Sequence, residues 1–203
     1  ADALVLDALQ ALREAPKASL APYSMHDTRT MLHEMRVFKS ACEVAVMKTA
    51  GRISAAAHKR AMQFVKPGCY EYHLEAELHH SFAMQGARTP AYSTIVGSGE
   101  NGCILHYTEN SAQIKDGDLV LVDAGCEYQG YAADITRTFP ANGTFSKPQR
   151  DIYEWVLKAQ EAVLTTLGPG STLGEAMQQS AEVITEGLVS LGLLGGTIAE
   201  NLQ

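Results

Sequence analysis

The order of elements in the sequence predicts an α+β domain in which helices pack on an antiparallel sheet. Three observations carry that prediction. Apolar residues recur at helical spacing before Gly86 and again after Ser146, while the stretch from Tyr92 to Phe139 breaks into short strand-like runs. Helices and strands are therefore segregated along the chain rather than alternating, which disfavours a doubly wound parallel sheet. The 203 residues are 46% hydrophobic and 19% charged, enough apolar mass for one sizeable core.

Leu4, Val5, Ala8, Leu9 and Leu12 have helical spacing within Asp2 to Glu14, and Pro16 is expected to stop that helix. Lys17 to Thr30 reads as a polar connection. Ser40 and Glu43 have the form of a capping box that opens a long alanine-rich helix, broken near Val65 by Lys66-Pro67-Gly68. A second helix is expected from Glu71 to Met84, ending at Gly86. Strands are expected at Thr94 to Val96, Cys103 to Tyr107, Leu119 to Val122 and Tyr131 to Phe139, with a turn at Lys115 to Asp118. Ser146 with Gln149, and Pro148 in the first turn, start a helix carrying Ile152, Val156, Ala159, Val163 and Leu167. Thr172 with Glu175 opens another, with Leu173, Met177, Ile184, Leu188 and Leu191 on one face. No internal repeat or low-complexity tract interrupts the pattern.

The formal net charge is −7, and lysine and arginine are scattered, so the footprint that a phosphate backbone requires is missing and nucleic acid is not an expected partner. No apolar run approaches the roughly 20 residues of a membrane span, and Ala1 to Ala15 lacks the pattern of a signal peptide, so a soluble cytoplasmic protein is expected. Cys42, Cys69, Cys103 and Cys126 form no C-x-x-C pair and read as reduced, mostly buried thiols. The chain opens on Ala1 without a methionine and closes in a polar stretch at Gln203, and an excised fragment is expected.

The chemically loaded stretch runs from Leu119 to Thr138, two apolar strands bearing Asp123 and Asp134. With a turn centred on Tyr128-Gln129, Glu127 faces Gly130 and Asp123 faces Asp134. Like charges directly opposed on an antiparallel pair destabilise it unless something neutralises them, and a metal cation is the natural neutraliser. Carboxylates shared by two divalent ions about 3.5 to 4 Å apart can activate a water and polarise a carbonyl. The plain alternative is a pair of solvated acids that break up an edge strand. Another is an aspartic-protease loop, although Ala124 lacks the hydroxyl of that motif. His106 ends the apolar run Cys103-Ile-Leu, where it is either structural or a proton carrier or substrate donor. His73, His79 and His80 lack the spacing of a helical zinc motif and read as surface or packing residues.

Three motifs taken together resemble the Xaa-Pro aminopeptidase (aminopeptidase P) family. They are Ile95 to Asn110 with His106 inside it, Asp116 to Gly125 with Asp123, and Gly130 to Pro140 with Asp134, and the likeness holds in register from about Met35 to Leu194. The resemblance implies the pita-bread fold, whose two pseudosymmetric halves of helices and antiparallel strands enclose a dinuclear metal site, usually manganese, with cobalt or zinc suited to the same oxygens. It implies removal of an N-terminal residue when proline stands second, so the expected partners are peptides with proline in that position. Asp123 and Asp134 match the two aspartate ligands, Asp134 bridging both ions, and His106 matches a histidine that contacts substrate at the scissile bond. Residues 1–35 resemble the tail of the family's N-terminal domain and its linker, and residues 36–203 the first half of the catalytic domain. A homo-oligomer is expected for the complete protein.

The family takes a further histidine and two glutamates from a segment beyond the equivalent of Leu194, and that segment is not in this sequence. Two carboxylates alone are too few to hold two divalent ions, so the chain by itself is expected to be inactive and to expose an apolar face. Three functions stand open on the sequence: the aminopeptidase, a prolidase cleaving Xaa-Pro dipeptides, and a catalytically dead pita-bread module that binds peptides or proteins. Retention of His106, Asp123 and Asp134 favours an enzyme.

Overall fold

The computed structural model describes residues 2–15, 22 and 24–202. The expected stop at Pro16 and much of the connection from Lys17 lie outside the described residues. The chain divides into two compact units, Ala1–Ala45 and Val46–Gln203. The first contains α1 (Asp2–Glu14), as expected, and α2 (Arg29–Val37), which falls partly within the polar connection read from sequence. Just ahead of α2, whose N-cap Thr28 makes no side-chain cap, the Asp27 carboxylate accepts from the Arg29 backbone N–H at 2.9 Å and pairs with its guanidinium at 2.5 Å. Met31, Leu32 and Met35 are exposed on it.

The boundary falls within α3 (Ala41–Phe64), which begins on the expected capping box: Ser40 N–H donates to Glu43 Oε2 at 2.6 Å, and Glu43 N–H to Ser40 Oγ at 3.3 Å. In the second unit, Ala50, Ile53, Ala57 and Ala61 are fully buried, and small side chains on this stripe let the helix lie close to a sheet. The parallel stripe on α4 (Glu71–Met84) is Leu74, Leu78 and Phe82, spaced one helical turn apart.

Beneath these helices lie two three-stranded antiparallel sheets. One has the order β2 (Ile95–Ser98), β3 (Leu119–Ala124), β6 (Ile135–Pro140), and the other β1 (Thr89–Pro90), β4 (Cys126–Tyr128), β5 (Tyr131–Ala132). Strand β3 shows why the layers form. Val120, Val122 and Ala124 are fully buried in the core shared with α3 and α4, whereas Leu119, Leu121 and Asp123, at alternate positions, face the other side and stay partly exposed.

Two expected strands change. The run Cys103 to Tyr107 is not extended: residues Gly99–Cys103 form a 3-10 helix, and Ile104 to Tyr107 a turn closed by Tyr107 N–H to Ile104 O at 3.3 Å. Asn and Gly are frequent in this segment, and its apolar Ile104 and Leu105 lie exposed, so an apolar run here does not mark a buried strand. The strand expected over Tyr131 to Phe139 is broken in two at Ala133-Asp134.

Beyond the sheet, α5 (Lys147–Thr166) and α6 (Leu173–Ser190) start on the expected capping boxes at Ser146/Gln149 and Thr172/Glu175, and a short α7 (Ile198–Asn201) follows. The buried stripe of α6 is Ala176, Val183 and Gly187, not the leucine face read from sequence, and Leu173 and Met177 are exposed. Trp155 of α5 accounts for this shift, because its ring lies where a side chain on Gly187 would stand. Ala159 is buried on α5, but Ile152 and Val156 are about half exposed and, with Leu119, Thr136 and Thr138 of the sheet, line an open apolar groove. All four cysteines are free; only Cys69 and Cys126 are buried. No described helix is long and apolar enough to cross a membrane.

Candidate metal centre

The hairpin that carries both aspartates turns on Gln129 and Gly130, whose φ angles are +50° and +85°, the signature of a type I′ turn. Its register follows from that turn: Tyr128 pairs with Tyr131, Glu127 with Ala132, Ala124 with Ile135 and Asp123 with Thr136. The expected pairing of Asp123 with Asp134, and of Glu127 with Gly130, is therefore corrected by two residues. Only a glycine readily takes the second left-handed position, so the turn centres on Gln129-Gly130 rather than Tyr128-Gln129. A shift of two residues preserves the face. Asp134 remains on the same side as Asp123, as its diagonal rather than its direct neighbour.

Between them the ladder is interrupted at Gly125 and at Ala133-Asp134. A Cβ on Gly125 would lie 1.7 Å from the Ala133 carbonyl oxygen, so the close approach requires glycine. Gly125 O accepts from Ala91 N–H at 2.9 Å, and Cys126 O from Ala133 N–H at 3.0 Å. On the other side of β3 the chain spends four residues, Ala91 to Thr94, between the pairs Pro90 with Cys126 and Ile95 with Asp123. That bulge delivers Tyr92 over the two acids.

The Tyr92 hydroxyl lies 2.5 Å from Asp123 Oδ1 and 3.0 Å from Asp134 Oδ1. Asp123 is half-buried and Asp134 exposed. Burial, reinforced by both carboxylates, pushes the Tyr92 hydroxyl far above its ordinary value, so it stays protonated and acts as a donor. One phenolic proton serves two acceptor-only carboxylates, so the pair keeps lone pairs that this donor does not fill. A divalent cation fits this oxygen donor set. Among the described residues no group of three or more His, Cys, Asp or Glu side chains could hold a metal, so the pair is a partial ligand set.

Behind β3 stands His58 of α3, which is buried, with Nε2–H donating to the Ala124 carbonyl at 3.0 Å and Nδ1 without a partner. Burial favours the neutral ring, with the proton on the nitrogen that donates to the Ala124 carbonyl. Burial pushes its pKa down, the Ala124 carbonyl opposes this, and Arg137 adds to the lowering. Cys126 packs on the same helix and donates its N–H to Ser54 Oγ at 3.0 Å.

His106 is exposed on its turn with φ +56°. The preceding 3-10 helix crosses the outer face of the sheet, since a Cβ on Gly102 would lie 3.6 Å from Leu121 Cβ, and Leu121 shares its face with Asp123. Among the described residues no hydrogen bond joins His106 to Tyr92, Asp123 or Asp134. His73 and His79 are structural, as read from sequence: His73 Nδ1 accepts from Tyr70 N–H at 3.1 Å, and His79 bonds Thr94 Oγ1 at 2.8 Å. Sequence reasoning missed Tyr92 and Glu71. The signal for Tyr92 was its place at the onset of the strand block; Glu71 read only as the start of a helix.

A helix-backed antiparallel sheet with an acid pair on its outer face defines a class, and residues 45–200 match metallopeptidase family M24. The chain belongs to that family. It is 54% identical over 201 residues to the Xaa-Pro aminopeptidase of Escherichia coli, covering 98% of this chain and 46% of that protein. It is 38% identical over 200 residues to the Xaa-Pro dipeptidase of Mus musculus, covering 94% of this chain and 40% of that one. Zinc-substituted E. coli aminopeptidase P in complex with product superposes with a TM-score of 0.92 at 54% identity, over 98% of this chain and 46% of that one. Proline aminopeptidase P II from Yersinia pestis superposes at 0.93 with 53% identity, over 99% and 46%. The α+β, pita-bread expectation is thereby met, and the chain spans less than half the length of these relatives.

Proposed function

We propose that this chain is part of a metal-dependent aminopeptidase that hydrolyses the bond between an N-terminal residue and a following proline. The observation that carries the reading is the convergence of Asp123 and Asp134 on one tyrosine hydroxyl, in a chain 54% identical to an Xaa-Pro aminopeptidase. In this reading Asp123 and Asp134 hold two divalent ions, manganese with cobalt or zinc as alternatives, and residues outside this chain complete the ligand set. Ions bound there supply polarisation of the scissile carbonyl and activation of water at neutral pH. Tyr92 donates to Asp123 Oδ1 and Asp134 Oδ1 and so would fix the orientation of both acids when ions are bound. His106, on the turn that follows the 3-10 helix lying on the face that bears Asp123, hydrogen-bonds the substrate beside the scissile bond in this reading. Residues 1–35 belong to a preceding domain and linker, and residues 36–203 to the catalytic domain. The reading extends to a homo-oligomeric, cytoplasmic enzyme.

A prolidase is the second reading, favoured by the 38% identity to an Xaa-Pro dipeptidase but outweighed by the higher identity to the aminopeptidase. The test offers the full-length, metal-loaded protein three peptides: Xaa-Pro-Yaa, Xaa-Ala-Yaa and the dipeptide Xaa-Pro. Release of Xaa from the first alone is expected, and Asp123→Asn lowers that rate by orders of magnitude. Cleavage restricted to the dipeptide would replace the reading with prolidase, and an unchanged rate in Asp123→Asn would end the metal assignment.

A further inference from the structure

Glu71, the first residue of α4, is a fully buried carboxylate that makes no ion pair among the described residues. It is instead satisfied by five donors. Ser98 N–H and Oγ–H reach its Oε1 at 2.7 and 2.8 Å, and Asn101 Nδ2 at 3.1 Å. Tyr107 O–H and Ala112 N–H reach Oε2, both at 2.9 Å. Burial pushes this carboxyl up, but the donors outweigh burial and it ends below its ordinary value.

The donors all come from one stretch of chain. Ser98 and Ala112 are its two ends, Asn101 lies in the 3-10 helix, and Tyr107 is the neighbour of His106. Asn101 Nδ2 also reaches the Tyr107 hydroxyl at 3.1 Å, so the middle of the loop is cross-tied. A second tie holds the same loop: buried Asn110 donates to Glu75 Oε2 and to Thr94 O, both at 2.9 Å, and accepts from Val96 N–H at 2.9 Å. Glu71 and Glu75 are one helical turn apart. His106 sits in the left-handed region, a costly conformation for a residue with a side chain, which persists where its surroundings over-determine it. The anchored Tyr107 ring and the Tyr107 N–H to Ile104 O bond are those surroundings.

We propose that Glu71 is a positioning residue for the peptidase reaction, its carboxylate holding residues 98–112 closed so that His106 is fixed over the face that bears Asp123. The inference rests on the substrate-binding role given to His106 above. Glu71 touches neither aspartate nor, by this account, the substrate; it acts through the loop.

The test is a double-mutant cycle in the full-length, metal-loaded protein. Glu71→Gln keeps the volume but turns an amide N–H₂ toward groups that are themselves donors. It is expected to lower kcat about 10- to 100-fold, the range for outer-shell and remote misplacements. Metal content stays at the wild-type value. In a His106→Ala background the same substitution is expected to cost no further rate, because its target is already gone. Tyr107→Phe, which removes one donor and keeps the ring, shows the same non-additivity on a smaller loss and carries the test where Glu71→Gln fails to fold. Equal fold-losses in both backgrounds, or loss of bound metal, would overturn the inference by making Glu71 a general structural residue. His106→Ala at full rate would remove the role of His106 itself, and the inference with it. That outcome is told apart from failure of the clamp alone, in which His106→Ala is slow and Glu71→Gln is not.

Discussion

Replacing Gly125 with alanine places a methyl group where the strands cross beneath the two aspartates. The added Cβ meets the Ala133 carbonyl oxygen at 1.7 Å and its carbon at 2.4 Å, while ordinary contact begins at 3.4 Å, so the separation must double. The obstacle is backbone and cannot rotate away. Opening the strands breaks the Ala133 N–H to Cys126 O bond of 3.0 Å and strains the Ala91 N–H to Gly125 O bond of 2.9 Å. Leaving such buried groups unpaired costs roughly 1–3 kcal/mol each. Counting that cost once for the broken bond and adding overpacking of about 1–3 kcal/mol, the expected loss is about 2–6 kcal/mol, a large part of the ~5–15 kcal/mol that holds a typical domain. Urea unfolding followed by circular dichroism measures it. Gly51→Ala is the control, because nothing lies within 4 Å of its Cβ on α3, and it is expected to stabilise by about 0.5–1 kcal/mol. A loss below about 1 kcal/mol for Gly125→Ala would refute the close-approach argument.

Neutral His58 makes stability depend on pH: its folded pKa lies below the ordinary 6.5, so the unfolded chain binds the extra proton as pH falls. Its contribution is complete above pH 6.5 and is lost as pH drops through the lowered value, and His58→Gln is expected to flatten that part of the profile; an unchanged slope would contradict the burial argument. Glu71, lowered from 4.5, adds a separate loss at more acid pH, with its contribution complete above 4.5. Tyr92→Phe removes the donor shared by Asp123 and Asp134 and is expected to weaken manganese binding to the full-length protein about 10- to 100-fold in a calorimetric titration. Equal affinity would take Tyr92 out of the site.

Helices were the most legible part of the sequence because their starts carry local chemistry. Ser40/Glu43, Ser146/Gln149 and Thr172/Glu175 each form the reciprocal bonds that their spacing implies. The α6 face was misread because a tryptophan on another helix, not the leucines of α6, decides what is buried. In the centre, Asp123 and Asp134 were legible as a pair, but their register hung on which residues of Tyr128-Gln129-Gly130 form the turn. Tyr92, marked only by its place at the onset of the strand block, and Glu71, marked only as a helix start, were not legible as site residues. Both act across long sequence separations, Tyr92 to Asp134 and Glu71 to Ala112, through geometry that no local pattern encodes.

The central claim is that Asp123 and Asp134 are metal ligands. The direct measurement is the metal content, by mass spectrometry, of the full-length protein and its Asp134→Asn variant, each loaded with manganese and freed of excess ion. The account predicts about two ions per wild-type chain and a clear loss in the variant, with the folded circular dichroism spectrum retained. Equal metal content in the two proteins would contradict it.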